Sequence, residues 1–208
     1  MSKIGVAAMS DAHLELRGPR LPVDHGYLLF RELLRLLPWI EDEALLGIHP
    51  VHGADSGAGE LLLNRRTKLV VRCPAGRLDE LTKLNGRTIH LERQELVIGA
   101  CKVKPLSRYT PLYAHCVVTG SADEREFTLD IMRMLSQMDI SSRFICGRPQ
   151  RIFDGRDTVS GYSLLLHSLP LEHAIHMQQQ GLGAHRKLGC GIFIPHKSIA
   201  AVGAIGSV

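Results

Sequence analysis

The stretch GLGAHRKLGCGIF runs from Gly181 to Phe193 and sets four glycines around the basic pair Arg186 and Lys187. A helical pattern that begins at Pro170 precedes it, and a short apolar strand follows it. Phosphate-binding loops of the dinucleotide and P-loop types precede a helix N-terminus, whereas this loop follows a helix C-terminus. Exposed backbone N–H groups and two cations remain, and this combination suits an extended phosphate backbone.

Upstream of the loop, the second half of the chain has the order strand, helix, strand, strand, helix, strand. Ser121 followed by Glu124 indicates a capping box, and apolar residues recur at helical spacing from Phe127 to Met138. The strands are predicted at 112–119, 143–148, 159–167 and 191–196, and the second helix at 170–181.

The first half gives the same order with one extra strand. Asp24 is the predicted N-cap of a helix that Pro38 ends, and Gly86 suits the position after a second, shorter helix. Strands are predicted at 3–17, 45–52, 60–73, 88–92 and 95–103. The sequence therefore predicts an α+β protein of two tandem ferredoxin-like βαββαβ folds, with domains at 1–104 and 112–208 and a C-terminal glycine-rich loop.

Composition and charge narrow the class of protein. No stretch reaches the roughly 18 apolar residues of a membrane span, and the N-terminal segment lacks a signal-peptide core, so a cytoplasmic protein is expected. The five cysteines are an odd number without C-x-x-C spacing, and we interpret them as buried thiols. Between Glu60 and Arg108, eleven Lys or Arg accompany five Asp or Glu, a local net charge of +6. This excess favours a polyanionic partner, although a solvated charged surface gives the same pattern.

The glycine-rich stretch, in its position between the last helix and the last strand, resembles the loop of the RAMP superfamily. Within that superfamily the chain resembles the CRISPR-associated endoribonucleases of the sixth Cas family, in their myxobacterial-type subgroup. PVDHGYLLF at 22–30 and GIHPVHG at 47–53 carry the rest of the specific resemblance. Length and tandem architecture extend it over nearly the whole chain.

The resemblance implies cleavage of CRISPR precursor RNA within its repeats, without a metal or other cofactor. The 2′-hydroxyl upstream of the scissile phosphate attacks it, which gives a 2′,3′-cyclic phosphate or 3′-phosphate and a 5′-hydroxyl. Such a reaction needs a base, an acid and cations around the phosphate, and histidine serves best near neutral pH. The expected partners are a repeat stem-loop and, if the enzyme stays on its product, subunits of a Cascade-type effector complex.

The resemblance makes His25 the first candidate for the base, because many relatives carry a catalytic histidine at the start of this helix. The positive end of the helix dipole also favours a neutral imidazole there. Tyr27 is expected to orient the 2′-hydroxyl, as tyrosines do in some relatives, with core packing as the alternative. His49 and His52 are candidates for a second acid or base, because two H-x-x-H ligands without a carboxylate or cysteine make a poor metal site.

RNA-binding residues are expected in two groups. The first is the loop itself, with Gly181, Gly183, His185, Arg186, Lys187, Gly189 and Gly191. The second is a set of basic positions on strands and turns: Arg65, Arg66, Lys68, Arg72, Arg143, Arg148, Arg151 and Arg156. Because A-form RNA exposes its phosphates and 2′-hydroxyls while its base edges lie in a deep groove, contacts to the RNA backbone are expected.

Two other classes of protein stay open. A RAMP-type subunit that binds CRISPR RNA without cutting it would keep the loop and the basic positions, but no histidine would matter. A small-molecule enzyme of ferredoxin-like fold would make the basic segment incidental. Substitution of His25 separates the first class from an endoribonuclease, and an electrophoretic shift with structured RNA tests the second.

Overall fold

From Ala12 onward, the first strand, β1 (Met9–Arg17), buries every second side chain, so that Ala12, Leu14 and Leu16 lie on one face of a sheet. This is the period-two pattern of a strand with one face on the core. The computed structural model describes residues 8–197, and the chain divides into two compact units, one ending at Leu106 and one starting at Ser107. Each unit has its own apolar core and its own antiparallel sheet.

The elements of the first unit are β1, β2 (Arg20–Pro22), α1 (Gly26–Leu36), a 3-10 turn (Pro38–Ile40), β3 (Gly47–Ile48), β4 (Ala54–Asp55), β5 (Glu60–Leu62), β6 (Lys68–Pro74), a second 3-10 turn (Ala75–Arg77), α2 (Leu78–Thr82), β7 (Thr88–Leu91) and β8 (Gln94–Pro105). They form a five-stranded sheet in the order β3-β6-β1-β8-β7 and a small sheet in the order β2-β5-β4. Leu29 and Leu33 of α1 pack into the core.

The elements of the second unit are β9 (Leu112–Val117), α3 (Glu124–Gln137), β10 (Arg143–Phe153), β11 (Thr158–His167), α4 (Leu171–Gln180), a 3-10 turn (Arg186–Leu188) and β12 (Ile194–Pro195). They form a four-stranded sheet in the order β10-β11-β9-β12. Phe127, Ile131 and Leu135 form the buried stripe of α3.

Both predicted helix N-caps are wrong by one or two residues. The N-cap of α1 is His25 rather than Asp24, because the pairing of β2 with the neighbouring segment continues to Val23, whose N–H donates to the Gly59 carbonyl. In the second unit, Asp123 rather than Ser121 caps α3.

The Asp123 carboxylate accepts hydrogen bonds from the N–H groups of Arg125 and Glu126 at 2.9 and 3.1 Å. A carboxylate is favoured at this position by the helix dipole, and the Ser121 hydroxyl instead donates to Asp130.

The strand predicted at 60–73 is two strands, β5 and β6, separated by a turn. The Asn64 side chain accepts from the Arg66 N–H, and the Thr67 N–H donates to the Asn64 carbonyl. Such local bonds of Asn compete with the strand ladder. The strand predicted at 45–52 is only β3, since Pro50 has no N–H for a ladder, and the last strand is only β12.

The protein is therefore a mixed α/β protein with antiparallel sheets. Among residues 8–197, no helix is both long enough and apolar enough to cross a membrane. Of the five free cysteines, Cys73, Cys116 and Cys190 are buried, whereas Cys101 and Cys146 are only half-buried, which corrects part of the interpretation as buried thiols.

Candidate functional site

His25 lies at the start of α1 with its ring buried and both ring nitrogens hydrogen-bonded. Its Nδ1 is 3.0 Å from the Pro22 carbonyl oxygen and 2.9 Å from that of Val23, and its Nε2 accepts the Val51 N–H at 2.9 Å. Burial lowers the pKa of His25, and this effect outweighs the hydrogen bonds to Pro22 and Val23, which raise it. The ring is therefore neutral at pH 7, with its proton on Nδ1.

His49 belongs to a buried polar cluster rather than to an exposed edge. Its side chain is 10% exposed, and its Nε2 lies 3.7 Å from Asp11 Oδ1. Arg72, which faces Asp11 across the β1–β6 pair, donates through Nε at 2.7 Å and through Nη2 at 2.9 Å to the two carboxylate oxygens. The sequence pattern did not identify this bidentate pair.

This cluster corrects the expectation for Arg72. Its side chain is only 1% exposed, and its guanidinium is bonded to Asp11, so Arg72 is an internal ion-pair partner and not part of a phosphate track. One feature of the sequence pointed to a polar partner for Arg72. Polar residues at alternate positions of β1 place Asp11 and His13 on the face of the sheet opposite the core.

His52 and Tyr27 complete the predicted catalytic set. His52 is exposed, directly after buried Val51, and therefore lies beside the start of α1. Tyr27 is half-buried on α1, with the Arg31 guanidinium carbon 5.9 Å from its ring centroid. The structure thus brings His25 and His52 together through one backbone hydrogen bond and places His49 in the adjoining interior.

The glycine-rich loop, Gly181–Gly191, packs on the end of β9. The Ala184 N–H donates to the Val118 carbonyl at 2.9 Å, and the Gly191 N–H donates to the Cys116 carbonyl at 2.7 Å. A Cβ at position 183 would collide with the Val118 carbonyl oxygen. All four loop glycines have positive φ: 71° at Gly181, 78° at Gly183, 98° at Gly189 and 65° at Gly191.

The loop therefore packs closely against the protein's own backbone. This packing explains its glycines without any contact to RNA. Within the loop, Gly183 and Ala184 are exposed, whereas His185, Arg186 and Lys187 are half-buried. Arg186 Nη2 donates to the Gln178 carbonyl at 3.1 Å, so this cation satisfies a carbonyl in the last turn of α4.

The remaining predicted basic residues lie at the surface. Arg65 and Arg66 are exposed in the turn before β6, and Arg65 lines an open groove of about 520 Å³ together with Glu15 and Arg17. Lys68 begins β6, with its Nζ 3.8 Å from Glu15 Oε1. Exposed arginines also follow the edge strand β10 and the turn after it: Arg143, Arg148, Arg151 and Arg156.

In the described part of the chain, no three His, Cys, Asp or Glu side chains are grouped so that they could hold a metal ion. The candidate site of the first unit is a set of three imidazoles, and the same unit carries exposed cations at Arg65 and Arg66. Imidazoles transfer protons near neutral pH, and cations at the surface attract phosphate groups.

Comparison with known proteins identifies the family. A family model described as Cas6 Crispr matches residues 11–198. The CRISPR-associated endonuclease Cas6 of Myxococcus xanthus (strain DK1622) is 31% identical over 197 residues, which are 94% of this chain and 85% of that protein.

Solved structures show the same fold at low identity. A structure described as an RAMP protein binding different RNA substrates gives a TM-score of 0.66 at 12% identity, over 90% of this chain and 100% of that chain. The product of a Cas6-related gene from Pyrococcus furiosus gives a TM-score of 0.65 at 13% identity, over 91% of this chain and 99% of that chain. By the family match and the Myxococcus relative, this chain belongs to the Cas6 family of CRISPR-associated proteins.

Proposed function

We propose that this chain is a cytoplasmic endoribonuclease that cuts CRISPR precursor RNA within its repeats by metal-independent attack of a 2′-hydroxyl. Membership of a family whose Myxococcus member is named an endonuclease supports the class of reaction. The observation that carries the mechanism is the hydrogen bond from Val51 to His25. It links the buried, neutral His25 at the start of α1 to the segment that carries the exposed His52.

The reaction requires only proton transfer and charge stabilisation from the protein. A neutral imidazole takes the proton of the 2′-hydroxyl, the 2′-oxygen bonds to phosphorus, and the bond from phosphorus to the 5′-oxygen breaks. The 5′-oxygen leaves with a proton, and the products are a 2′,3′-cyclic phosphate and a 5′-hydroxyl. Tyr27 is the proposed orienting group for the ribose, and a positioned acid or base contributes about 10²- to 10⁴-fold to such a rate.

We extend the proposal to the architecture. Each unit is a ferredoxin-like βαββαβ domain, the first carrying catalysis and the second the RAMP-type glycine-rich loop. The sheet order β10-β11-β9-β12, with helices α3 and α4 in the two crossovers, supports this assignment for the second unit. In the first unit, β3-β6-β1-β8 gives the same order, with β7 as an added edge strand.

Each unit has its own proposed RNA-binding residues. In the first unit these are Arg65, Arg66 and Lys68. In the second unit they are the exposed Arg143, Arg148 and Arg151 and the glycine-rich loop. Gly183 supplies exposed backbone, and Lys187 supplies charge next to it. The proposed substrate is a repeat stem-loop, bound through its phosphates. If the protein stays bound to the cleaved RNA, subunits of a Cascade-type effector complex are its proposed partners.

One observation favours a second candidate, a RAMP-type subunit that binds CRISPR RNA without cutting it. Both ring nitrogens of His25 are engaged by backbone groups, as a purely structural histidine would be. The two candidates differ in a direct assay.

The deciding experiment incubates end-labelled repeat RNA from the locus that encodes this chain with the protein in excess EDTA. We expect cutting at one bond, with a 5′-hydroxyl on the downstream fragment. A matched RNA with a 2′-deoxyribose upstream of that bond should bind equally well and stay intact, because it lacks the nucleophile. Tight binding without cleavage of the natural RNA would favour the non-cutting subunit, and cleavage of the deoxy RNA at the same bond would contradict the mechanism.

A further inference from the structure

The hydrogen bonds of His25 leave its ring no site for a substrate proton. A neutral imidazole has one N–H and one in-plane lone pair, and here Nδ1 faces the Pro22 and Val23 carbonyls while Nε2 accepts the Val51 N–H. A proton could bind Nε2 only if the Val51 N–H moved away. Because His25 is only 6% exposed, a ribose also has little surface to approach.

The same bond fixes the backbone on one side of His52. Val51 is buried and held by His25, and on the other side Gly53 packs closely on β5. A Cβ at Gly53 would come within 2.7 Å of the Leu62 carbonyl oxygen. His52 therefore lies between two anchored neighbours, with its side chain exposed. A group that transfers protons to a bound substrate needs this combination of a fixed backbone and an accessible ring.

Few charged groups act on the buried ring. Asp24, the residue before His25, raises its pKa, and His52 lowers it, but both effects are smaller than that of burial. His25 is thus held neutral by its surroundings, and the neutral form is the one that accepts the Val51 N–H.

We infer that His52 is the imidazole that exchanges a proton with the RNA, and that His25 is a positioning residue that holds His52 through Val51. This inference rests on the proposed function. It moves the role of base from His25, to which the resemblance and the helix-dipole argument assign it, to His52. The His52 ring takes the 2′-hydroxyl proton as the 2′-oxygen attacks phosphorus, and solvent returns a proton to the departing 5′-oxygen.

The first test compares His52→Ala with His90→Ala under single-turnover conditions with repeat RNA. His90 is an exposed histidine on β7 of the same unit and serves as the matched control. We expect His52→Ala to bind RNA normally but to cut about 10²-fold more slowly or worse, and His90→Ala to cut at the wild-type rate.

Added imidazole should restore part of the His52→Ala activity, because the site of the missing ring is open to solvent. A wild-type rate in His52→Ala would overturn the inference and leave the proposed function intact. If wild-type protein binds the repeat RNA and does not cut it, the proposed function fails, and the inference fails with it.

The second test uses His25→Gln, whose amide can donate to a carbonyl and accept the Val51 N–H but cannot act as a base near pH 7. We expect a cleavage rate within about tenfold of wild type and an unchanged midpoint of the pH–rate profile, whereas loss of a true base would cost about 10²-fold or more. A loss of about 10²-fold or more in the cleavage rate of His25→Gln, with RNA binding retained, would make His25 the base.

A measurement on the wild-type protein covers the case in which His25→Gln does not fold. Nitrogen NMR of ¹⁵N-histidine-labelled protein reports the protonation and tautomer of each ring. We expect His25 to stay neutral with its proton on Nδ1 through the pH range in which the cleavage rate changes. Titration of His25 in step with that rate would overturn the assignment.

Discussion

At the scale of single residues, the first unit contains a buried, bidentate ion pair between Asp11 and Arg72. Burial alone would raise the pKa of Asp11, but the two hydrogen bonds from Arg72 and the positive charge of its guanidinium outweigh burial and hold this pKa well below its usual range. The pair joins β1 to β6 on the face opposite the core, next to the segment that carries the histidines.

Removal of the Asp11 charge should therefore destabilise the first unit strongly. Asp11→Asn leaves the Arg72 guanidinium buried without its counter-charge, and such a change typically costs about 3–5 kcal/mol. Urea unfolding followed by Trp39 fluorescence measures it, since Trp39, the chain's single tryptophan, packs against the core of this unit. Glu15→Gln is the control, because its ion pairs with Arg17 and Lys68 are at the surface, and a much smaller loss of unfolding free energy is expected.

The lowered pKa of Asp11 also makes the stability of the first unit depend on pH. Because the folded-state pKa of Asp11 is depressed, its contribution is complete above the unfolded-state pKa of about 4 and is lost as the pH falls toward the lower folded-state value. The difference in unfolding free energy between wild type and Asp11→Asn should thus shrink below about pH 4. A constant difference from pH 7 to pH 3 would contradict this account.

The roles of the histidines show why residue-level prediction from sequence is incomplete. The motif at 22–30 identifies His25 as important, and the adjoining motif at 47–53 identifies His52. Their relation depends on the hydrogen bond between His25 and Val51, which are 26 positions apart in the chain. No local pattern reports which nitrogen of a ring meets which backbone amide, so the sequence could not distinguish a base from a positioning residue.

At the scale of elements, prediction succeeds where one periodicity dominates and fails where local hydrogen bonds compete. The stripe of α3 and the end of α4 at Gly181 follow from spacing and from glycine, and both are present. The break between β5 and β6 depends on side-chain bonds of Asn64 and Thr67, which interrupt a run that is otherwise compatible with one strand. Helix starts shift because several nearby polar residues can act as caps.

The glycine-rich loop gives a prediction at this scale. Gly183 and Gly120 both have positive φ. An alanine Cβ would clash with the Val118 carbonyl in Gly183→Ala, whereas in Gly120→Ala it would enter open space. Positive φ costs an alanine roughly 1–2 kcal/mol at either site. Overpacking should add about 1–3 kcal/mol at Gly183 alone.

Thermal unfolding of the two variants is compared with that of wild type. The difference between their losses of stability measures the cost of overpacking at Gly183. Equal losses at the two sites would mean that the loop does not need the close approach to Val118. A fully stable Gly183→Ala with weakened RNA binding would instead assign this glycine to the RNA.

At the scale of the whole molecule, the net charge overstates the number of cations that are available to bind a polyanion. Within the basic segment from Glu60 to Arg108, Arg72 is bonded inside the protein and Arg77 pairs with Glu80. Composition therefore indicates the class of partner, while burial and pairing decide which cations can reach it. Other cations of the first unit are exposed, Arg65 and Arg66 among them, and exposed arginines follow β10 in the second unit.

These exposed arginines should appear in the salt dependence of RNA binding. If Arg65 and Arg151 each neutralise a phosphate, then Arg65→Ala and Arg151→Ala should each weaken binding and reduce the slope of log K against log salt by roughly one. Arg133→Ala is the matched control, because that side chain is 66% exposed on α3 and pairs with Asp130, outside the proposed RNA surface. Titrations of repeat RNA by fluorescence anisotropy at several salt concentrations give all three slopes. An unchanged slope in Arg65→Ala or Arg151→Ala would remove that arginine from the RNA surface, and a reduced slope in Arg133→Ala would extend the surface to α3.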